Sequence, residues 1–194
     1  MTSILVICTG NICRSPISEG LLRNALQRRF GPAAPDVSSA GTSGLEGSGA
    51  MPESVLAASE LGIDIAGHIA RRLTPAMASD ADLLLCMARD HRDTFAPPLD
   101  ARAFTLKELV RLLETLPPPA SGAGAGSLPD RIAAAELARK NRAVPPSRDD
   151  DIADPLGQPL EAYRSIAWEI ETWNDRLVTG LFGEHADDDV AEVR

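Results

Sequence analysis

The stretch SILVIC at residues 3–8 is an unbroken aliphatic run, and it passes through TGNICRSP straight into a helical pattern. A run without polar alternation fits a strand of a parallel sheet covered on both faces. Pro16 suits the first turn of a helix, and Ile17, Leu21, Leu22, Ala25 and Leu26 then recur at helical spacing up to Phe30 and the Gly31-Pro32 stop. A chain that opens as strand, loop and helix is set up for parallel strands joined by helical crossovers.

The remainder repeats that grammar. Residues 37–40 read as a second strand, followed by the loop GTSGLEGSGAMP and a helix near residues 53–61 that stops at Gly62. ADLLLCM at residues 81–87 reads as a third buried strand, residues 103–105 as a short fourth, and LKELVRLLETL as an amphipathic helix. The expected fold is α/β: one doubly wound domain over residues 1–183, a four-stranded parallel sheet with helices on both faces. The texture changes at residues 117–149, where PPPASGAGAGSLP precedes a helical segment, DRIAAAELARKNR, and then VPPSRDDD. That stretch is expected to be an insertion with flexible joints that buries little apolar surface. A last helix is expected over residues 160–181, and residues 184–194 form an acidic tail.

A length of 194 residues is enough for one sizeable core, and a formal charge of -9 with scattered arginines argues against general nucleic-acid binding. No apolar run approaches the roughly 20 residues needed to span a bilayer. Three cysteines, Cys8, Cys13 and Cys86, are too few and odd in number for a secreted disulfide framework. The expectation is a cytoplasmic protein with no membrane or nucleic-acid partner.

In doubly wound sheets, ligands bind beyond the carboxyl ends of the strands, so the loop that Cys8 begins is the favoured place for a site. Backbone N–H groups of a tight loop entering a helix converge on an anion, and the helix dipole adds positive potential. Gly10 supplies conformational freedom there. Arg14 adds a planar fork that holds two phosphate oxygens at once. A cysteine in such a field is placed to act as a thiolate nucleophile, and Ser15 is placed to donate to its sulfur. No Gly-Lys-Ser/Thr follows, so this phosphate-binding loop after strand 1 is not a Walker nucleotide site. Cys13 either packs behind the loop or captures an oxidised Cys8 as a disulfide. Cys86 reads as buried filler.

The segment CTGNICRSP resembles the signature of the low-molecular-weight protein tyrosine phosphatases. The resemblance continues through SSAGTSG (38–44), HIARRLT (68–74), ADLLLCM and the Asp154-Pro155 pair, over about residues 3–116 and 150–182. It implies a phosphoric monoester hydrolase that cleaves phosphotyrosine in proteins, or small aryl phosphates, through a phosphocysteine intermediate. Cys8 would be the nucleophile and Arg14 the phosphate clamp. Asp154 would give a proton to the leaving oxygen and then activate water. Thr9, Gly10, Asn11, Ile12, Cys13 and Ser15 would complete the phosphate loop, and Ser39 and His68 would support Asn11 beneath it.

Members that act on phosphotyrosine usually line the cleft with aromatics, whereas the matching places here hold Leu45 and Leu156. The alternatives are an arsenate reductase of the same fold using an external thiol and a non-hydrolytic phosphocysteine carrier module. MARDHRD after Cys86 offers no second cysteine for an internal relay. No cofactor and no metal are expected, since Arg14 and the loop amides supply the positive field that metals supply elsewhere.

Overall fold

The computed structural model describes residues 2–119 and 128–184. Four parallel strands, β1 (Ser3–Cys8), β2 (Asp36–Gly41), β3 (Leu83–Cys86) and β4 (Ala103–Thr105), form one sheet in the order β2-β1-β3-β4. Cys8 pairs in register with Gly41, Ile7 with Cys86, and Cys86 with Thr105. The strands therefore end level with one another, and the loops that follow β1, β2 and β3 gather at one edge beside Cys8.

The unbroken apolar runs are explained by the cover on each face. Ile4, Val6, Leu83, Leu85 and Phe104 point into a large core with α1 (Arg14–Phe30), α2 (Pro52–Glu60), α5 (Leu106–Leu113), α6 (Leu128–Lys140) and α7 (Leu160–Phe182). The alternate residues Leu5, Ile7, Leu84, Cys86 and Ala103 meet a smaller core under α3 (Pro75–Asp80), Phe95 and Leu99. Each fully buried Leu or Ile contributes about 1.5–3 kcal/mol, so the sheet is fixed mainly by its wet alternatives being lost. The start of α5 is fixed by a reciprocal cap: Thr105 Oγ1 accepts from the Glu108 amide at 3.2 Å, and Glu108 accepts from the Thr105 amide at 3.3 Å.

Three details differ from the reading of the sequence. α1 starts at Arg14, ahead of Pro16, which occupies the third position of the helix within its first turn. Two short helices, α3 and α4 (Arg89–Arg92), carry too few residues for a periodic apolar pattern and were not anticipated. The third difference is the packing of α6. It buries Leu128, Ile132, Ala135 and Ala138, because its alanines allow close approach to the core, so this part of 117–149 holds apolar surface. Arg139 of α6 stacks 4.2 Å over the Phe104 ring and donates to the Ala103 carbonyl at 2.8 Å. The expected flexible joint at 120–127 and all but Glu184 of the acidic tail lie outside the described residues.

Candidate active site

The loop between β1 and α1 is turned inside out by its neighbours. Four of its carbonyls accept amides from the segment after β2: Cys8 from Thr42, Thr9 from Ser43 and Ile12 from Met51, each at 2.9 Å, and Gly10 from Leu45 at 3.0 Å. The fifth, of Asn11, accepts from His68 Nε2 at 2.7 Å. Five consecutive carbonyls are thus committed away from the cavity, as a cradle for an anion requires. Two glycines permit this contact. A Cβ at Gly41 would lie 2.4 Å from the Thr9 carbonyl oxygen, and one at Gly44 would lie 2.2 Å from that of Arg71.

Asn11 holds the cradle from beneath. It is fully buried and sits in the left-handed region at φ 57°, which Asn tolerates better than most residues. Its Oδ1 accepts the Arg71 amide at 2.8 Å, which fixes the orientation of the side-chain amide. Its Nδ2 then donates both protons, to Ser39 Oγ at 2.7 Å and Ser15 Oγ at 2.9 Å. Ser39 passes its own proton to Glu19. By the same reasoning Ser15 has its hydroxyl proton directed at Cys8 Sγ, 3.0 Å away. The Asn11 amide adds a second donor to that sulfur at 3.3 Å. The Ser15 hydroxyl and the Asn11 amide thus both lie within hydrogen-bond distance of the Cys8 sulfur.

Arg14 is buried, and each part of its fork has a distinct setting. Nη1 donates to the Ile152 carbonyl at 3.0 Å, and Nη2 meets Asp154 Oδ2 at 2.5 Å and Thr9 Oγ1 at 3.4 Å. Nε is buried without a hydrogen-bond partner among the described residues. The chain that carries Asp154 is held by the acidic run before it, which the sequence alone presents as solvated carboxylates. Asp150 is buried in a bidentate pair with Arg111, and Asp151 pairs with both the Arg89 guanidinium and its amide. Hydrogen bonds from Arg89 hold the Asp151 carboxyl below the usual carboxylate range. The Ile152 amide donates to the Met87 carbonyl at 2.8 Å, which ties this segment to the end of β3. Asp154 itself remains half exposed.

A cavity of about 270 Å³ opens over these groups, lined by Cys8, Gly10, Arg14 and Asp154 at its base and by Leu45 and Leu156 at its sides. Both leucines are about half exposed, so the cleft has apolar walls without an aromatic ring. Cys13 immediately precedes α1 and is buried, and that burial pushes its thiol up to about 11. Cys86 lies fully buried in the smaller core, with burial raising its thiol as well. Among the described residues no group of three or more His, Cys, Asp and Glu side chains could hold a metal ion. No helix there is long and apolar enough to cross a membrane.

Three members of the site had no separate signal in the sequence. Glu19 accepts from Ser39, Arg71 donates to the Ser39 carbonyl and to Asn11, and buried His91 lies 2.9 Å from Thr9 Oγ1. Only Glu19 lies close in sequence to the signature, on the first turns of α1.

A buried cysteine in a tight loop at the carboxyl edge of a parallel sheet, sharing a cavity with a buried arginine, is the arrangement of a doubly wound α/β protein with a candidate site at its strand ends. The chain belongs to the low molecular weight phosphotyrosine protein phosphatase family, whose model matches residues 3–130. It is 41% identical over 93 residues to the probable low molecular weight protein-tyrosine-phosphatase AmsI of Erwinia amylovora, a match spanning 48% of this chain and 60% of that protein. Against the protein-arginine-phosphatase of Geobacillus stearothermophilus it is 33% identical over 181 residues, 92% of this chain and 95% of the relative. Among solved structures, the low molecular weight protein tyrosine phosphatase of T. tengcongensis superposes with a TM-score of 0.67 at 31% identity, over 93% of this chain and 100% of that one.

Proposed function

We propose that the protein is a cysteine-dependent phosphatase that hydrolyses phosphotyrosine in proteins, and small aryl phosphates, through a phosphocysteine intermediate. The observation that carries this reading is the convergence of Cys8, Arg14 and Asp154 on one cavity, with Ser15 and the Asn11 amide donating to the Cys8 sulfur. In the first step the sulfur attacks phosphorus in line, the P–O bond to the leaving group breaks, and Asp154 gives that oxygen a proton. Arg14, through its unpartnered Nε and through Nη2 once Asp154 lets go, holds the equatorial oxygens. In the second step Asp154 takes a proton from water as it attacks phosphorus, and the sulfur leaves as a thiolate stabilised by Ser15.

The catalytic unit on this reading is residues 1–183, the substrate a phosphoprotein, and the compartment the cytoplasm, in keeping with three unpaired cysteines. A second reading has a specific support. The relative that covers 92% of this chain is named a protein-arginine-phosphatase, and the walls Leu45 and Leu156 give a phenyl ring nothing to stack on. Phosphoarginine in proteins is therefore the rival substrate.

The test is metal-free phosphate release from p-nitrophenyl phosphate, a phosphotyrosine peptide and a phosphoarginine peptide, with Cys8→Ser as control. Turnover of the first two that vanishes in the variant supports the reading. A kcat/KM higher on phosphoarginine replaces it with the second. No turnover while arsenate is reduced in the presence of a small thiol would assign the site to arsenate reduction.

A further inference from the structure

His91, on α4, is a buried titratable side chain that the mechanism above does not use. It is 5% exposed, and its Nε2 lies 2.9 Å from Thr9 Oγ1, the second residue of the anion loop. Thr9 Oγ1 in turn accepts from Arg14 Nη2 at 3.4 Å. With Arg14 donating to Oγ1, the threonine hydroxyl proton is placed to be accepted by His91 Nε2 when the imidazole carries its own proton on Nδ1. In that tautomer the imidazole is neutral, and its Nδ1 is buried and has no hydrogen-bond partner among the described residues. Burial first, and then the Arg14 guanidinium, bring the imidazole down to about 4, with Asp90, Asp154 and Asp151 opposing them.

We propose that His91 is a positioning residue for phosphate transfer, acting through Thr9 to hold the Arg14 fork in place when Asp154 leaves it. The need follows from the geometry of the empty site. Arg14 Nη2 is shared between Asp154 and Thr9, and Asp154 must move onto the leaving group for the first step. Once it does, the Ile152 carbonyl on Nη1 and Thr9 on Nη2 are the hydrogen-bond partners that aim the fork at the phosphate oxygens, and a guanidinium aimed from one nitrogen alone can swing. Thr9 is the remaining side-chain anchor on Nη2. Its hydroxyl has a defined direction only because His91 accepts from it. A misplacement of about 1 Å in such a clamp costs on the order of a hundredfold in rate.

The assignment rests on the phosphatase reading for the identity of the substrate, but its test can be read without turnover. The variants are His91→Leu, which removes the acceptor, His91→Gln, whose amide oxygen reaches the place of Nε2, Thr9→Val, and the Thr9→Val/His91→Leu double. The measurements are kcat and KM on p-nitrophenyl phosphate and the Kd of inorganic phosphate by calorimetry. His91→Leu is expected to lower kcat/KM roughly tenfold to a hundredfold and to weaken orthophosphate binding by a similar factor. His91→Gln restores most of both, and the double variant is no worse than Thr9→Val alone. Equal losses in the Leu and Gln variants, losses that multiply in the double, or wild-type phosphate binding in all of them would overturn the assignment. If the wild type binds phosphate but turns over no phosphoester, the phosphatase reading fails, and the phosphate Kd series still decides for or against His91. Should His91→Leu fail to fold, Thr9→Val and His91→Gln give opposite expectations and decide the matter.

Discussion

Arg14 and Asp154, 140 positions apart in the chain, meet at 2.5 Å between Nη2 and Oδ2 in the empty site. The guanidinium proposed to clamp phosphate and the carboxyl proposed to give the proton therefore neutralise one another, and on that reading a bound anion has to separate them. Asp154→Asn removes the charge but keeps the shape, so it divides the two roles. Turnover of p-nitrophenyl phosphate should fall by about 10²–10⁴, the range for losing a general acid. Orthophosphate should bind at least as tightly as to the wild type, because Arg14 no longer has a competing carboxylate. Calorimetry beside steady-state kinetics reads both, and weaker phosphate binding in this variant would mean that Asp154 supports the cradle instead of competing with it.

Asn11→Ala tests the support beneath the loop. The change strands the Arg71 amide, which Asn11 Oδ1 now accepts, and removes the donors that orient the Ser15 and Ser39 hydroxyls. It also places alanine at φ 57°. Unsatisfied buried groups cost about 1–3 kcal/mol each, so a loss of about 3 kcal/mol or more in unfolding free energy is expected, measured by urea denaturation. Turnover by the folded fraction should drop as well, since Ser15 loses the partner that directs its proton to Cys8. A stable variant with unchanged kcat would show that the hydroxyls orient themselves.

Gly41→Ala probes a contact that has no side chain at all. The added methyl would have to sit 2.4 Å from the Thr9 carbonyl oxygen and 2.8 Å from the Gly44 Cα, so backbone must move. Overpacking of this kind costs about 1–3 kcal/mol. The displaced element is the β1–α1 loop proposed to hold the anion, so orthophosphate affinity should fall together with the melting temperature. A purely thermal effect, with the phosphate Kd unchanged, would place the accommodation on the 42–48 side of the contact.

Cys8, Arg14 and Ser15 were legible in the sequence because a strand end, a tight loop and a helix start keep them within eight residues, so local spacing already encodes their meeting. Asp154 was readable only through its proline and the family resemblance, since nothing local marks one carboxylate among Asp149, Asp150 and Asp151. The pairs Asp150 with Arg111 and Asp151 with Arg89 span 39 and 62 positions, and such partners are set by how loops meet at the sheet edge. His91 was illegible for the same reason, being 82 positions from Thr9. α6 was under-read on composition, because an alanine-rich helix has a weak apolar pattern and yet packs closely where small side chains are wanted.

The stability of the protein toward acid should carry the mark of His91. Its imidazole titrates near pH 4 in the folded protein, through burial and the Arg14 guanidinium, against about 6.5 in an unfolded chain. Between those values the unfolded state binds the extra proton, so stability is complete above pH 6.5, declines as the pH falls toward 4, and loses nothing further from this group below that. The full shift corresponds to roughly 3 kcal/mol. Asp151, held below its ordinary value by Arg89, adds its own loss only at still lower pH, outside this window. His91→Gln has no proton to gain, so its urea midpoint should change less between pH 7 and pH 4.5 than that of the wild type. Parallel profiles for the two proteins would mean that the folded protein takes up this proton as readily as the unfolded chain does. The buried contact with Thr9 would then not favour a neutral imidazole, and the anchor proposed for Arg14 would lose its support.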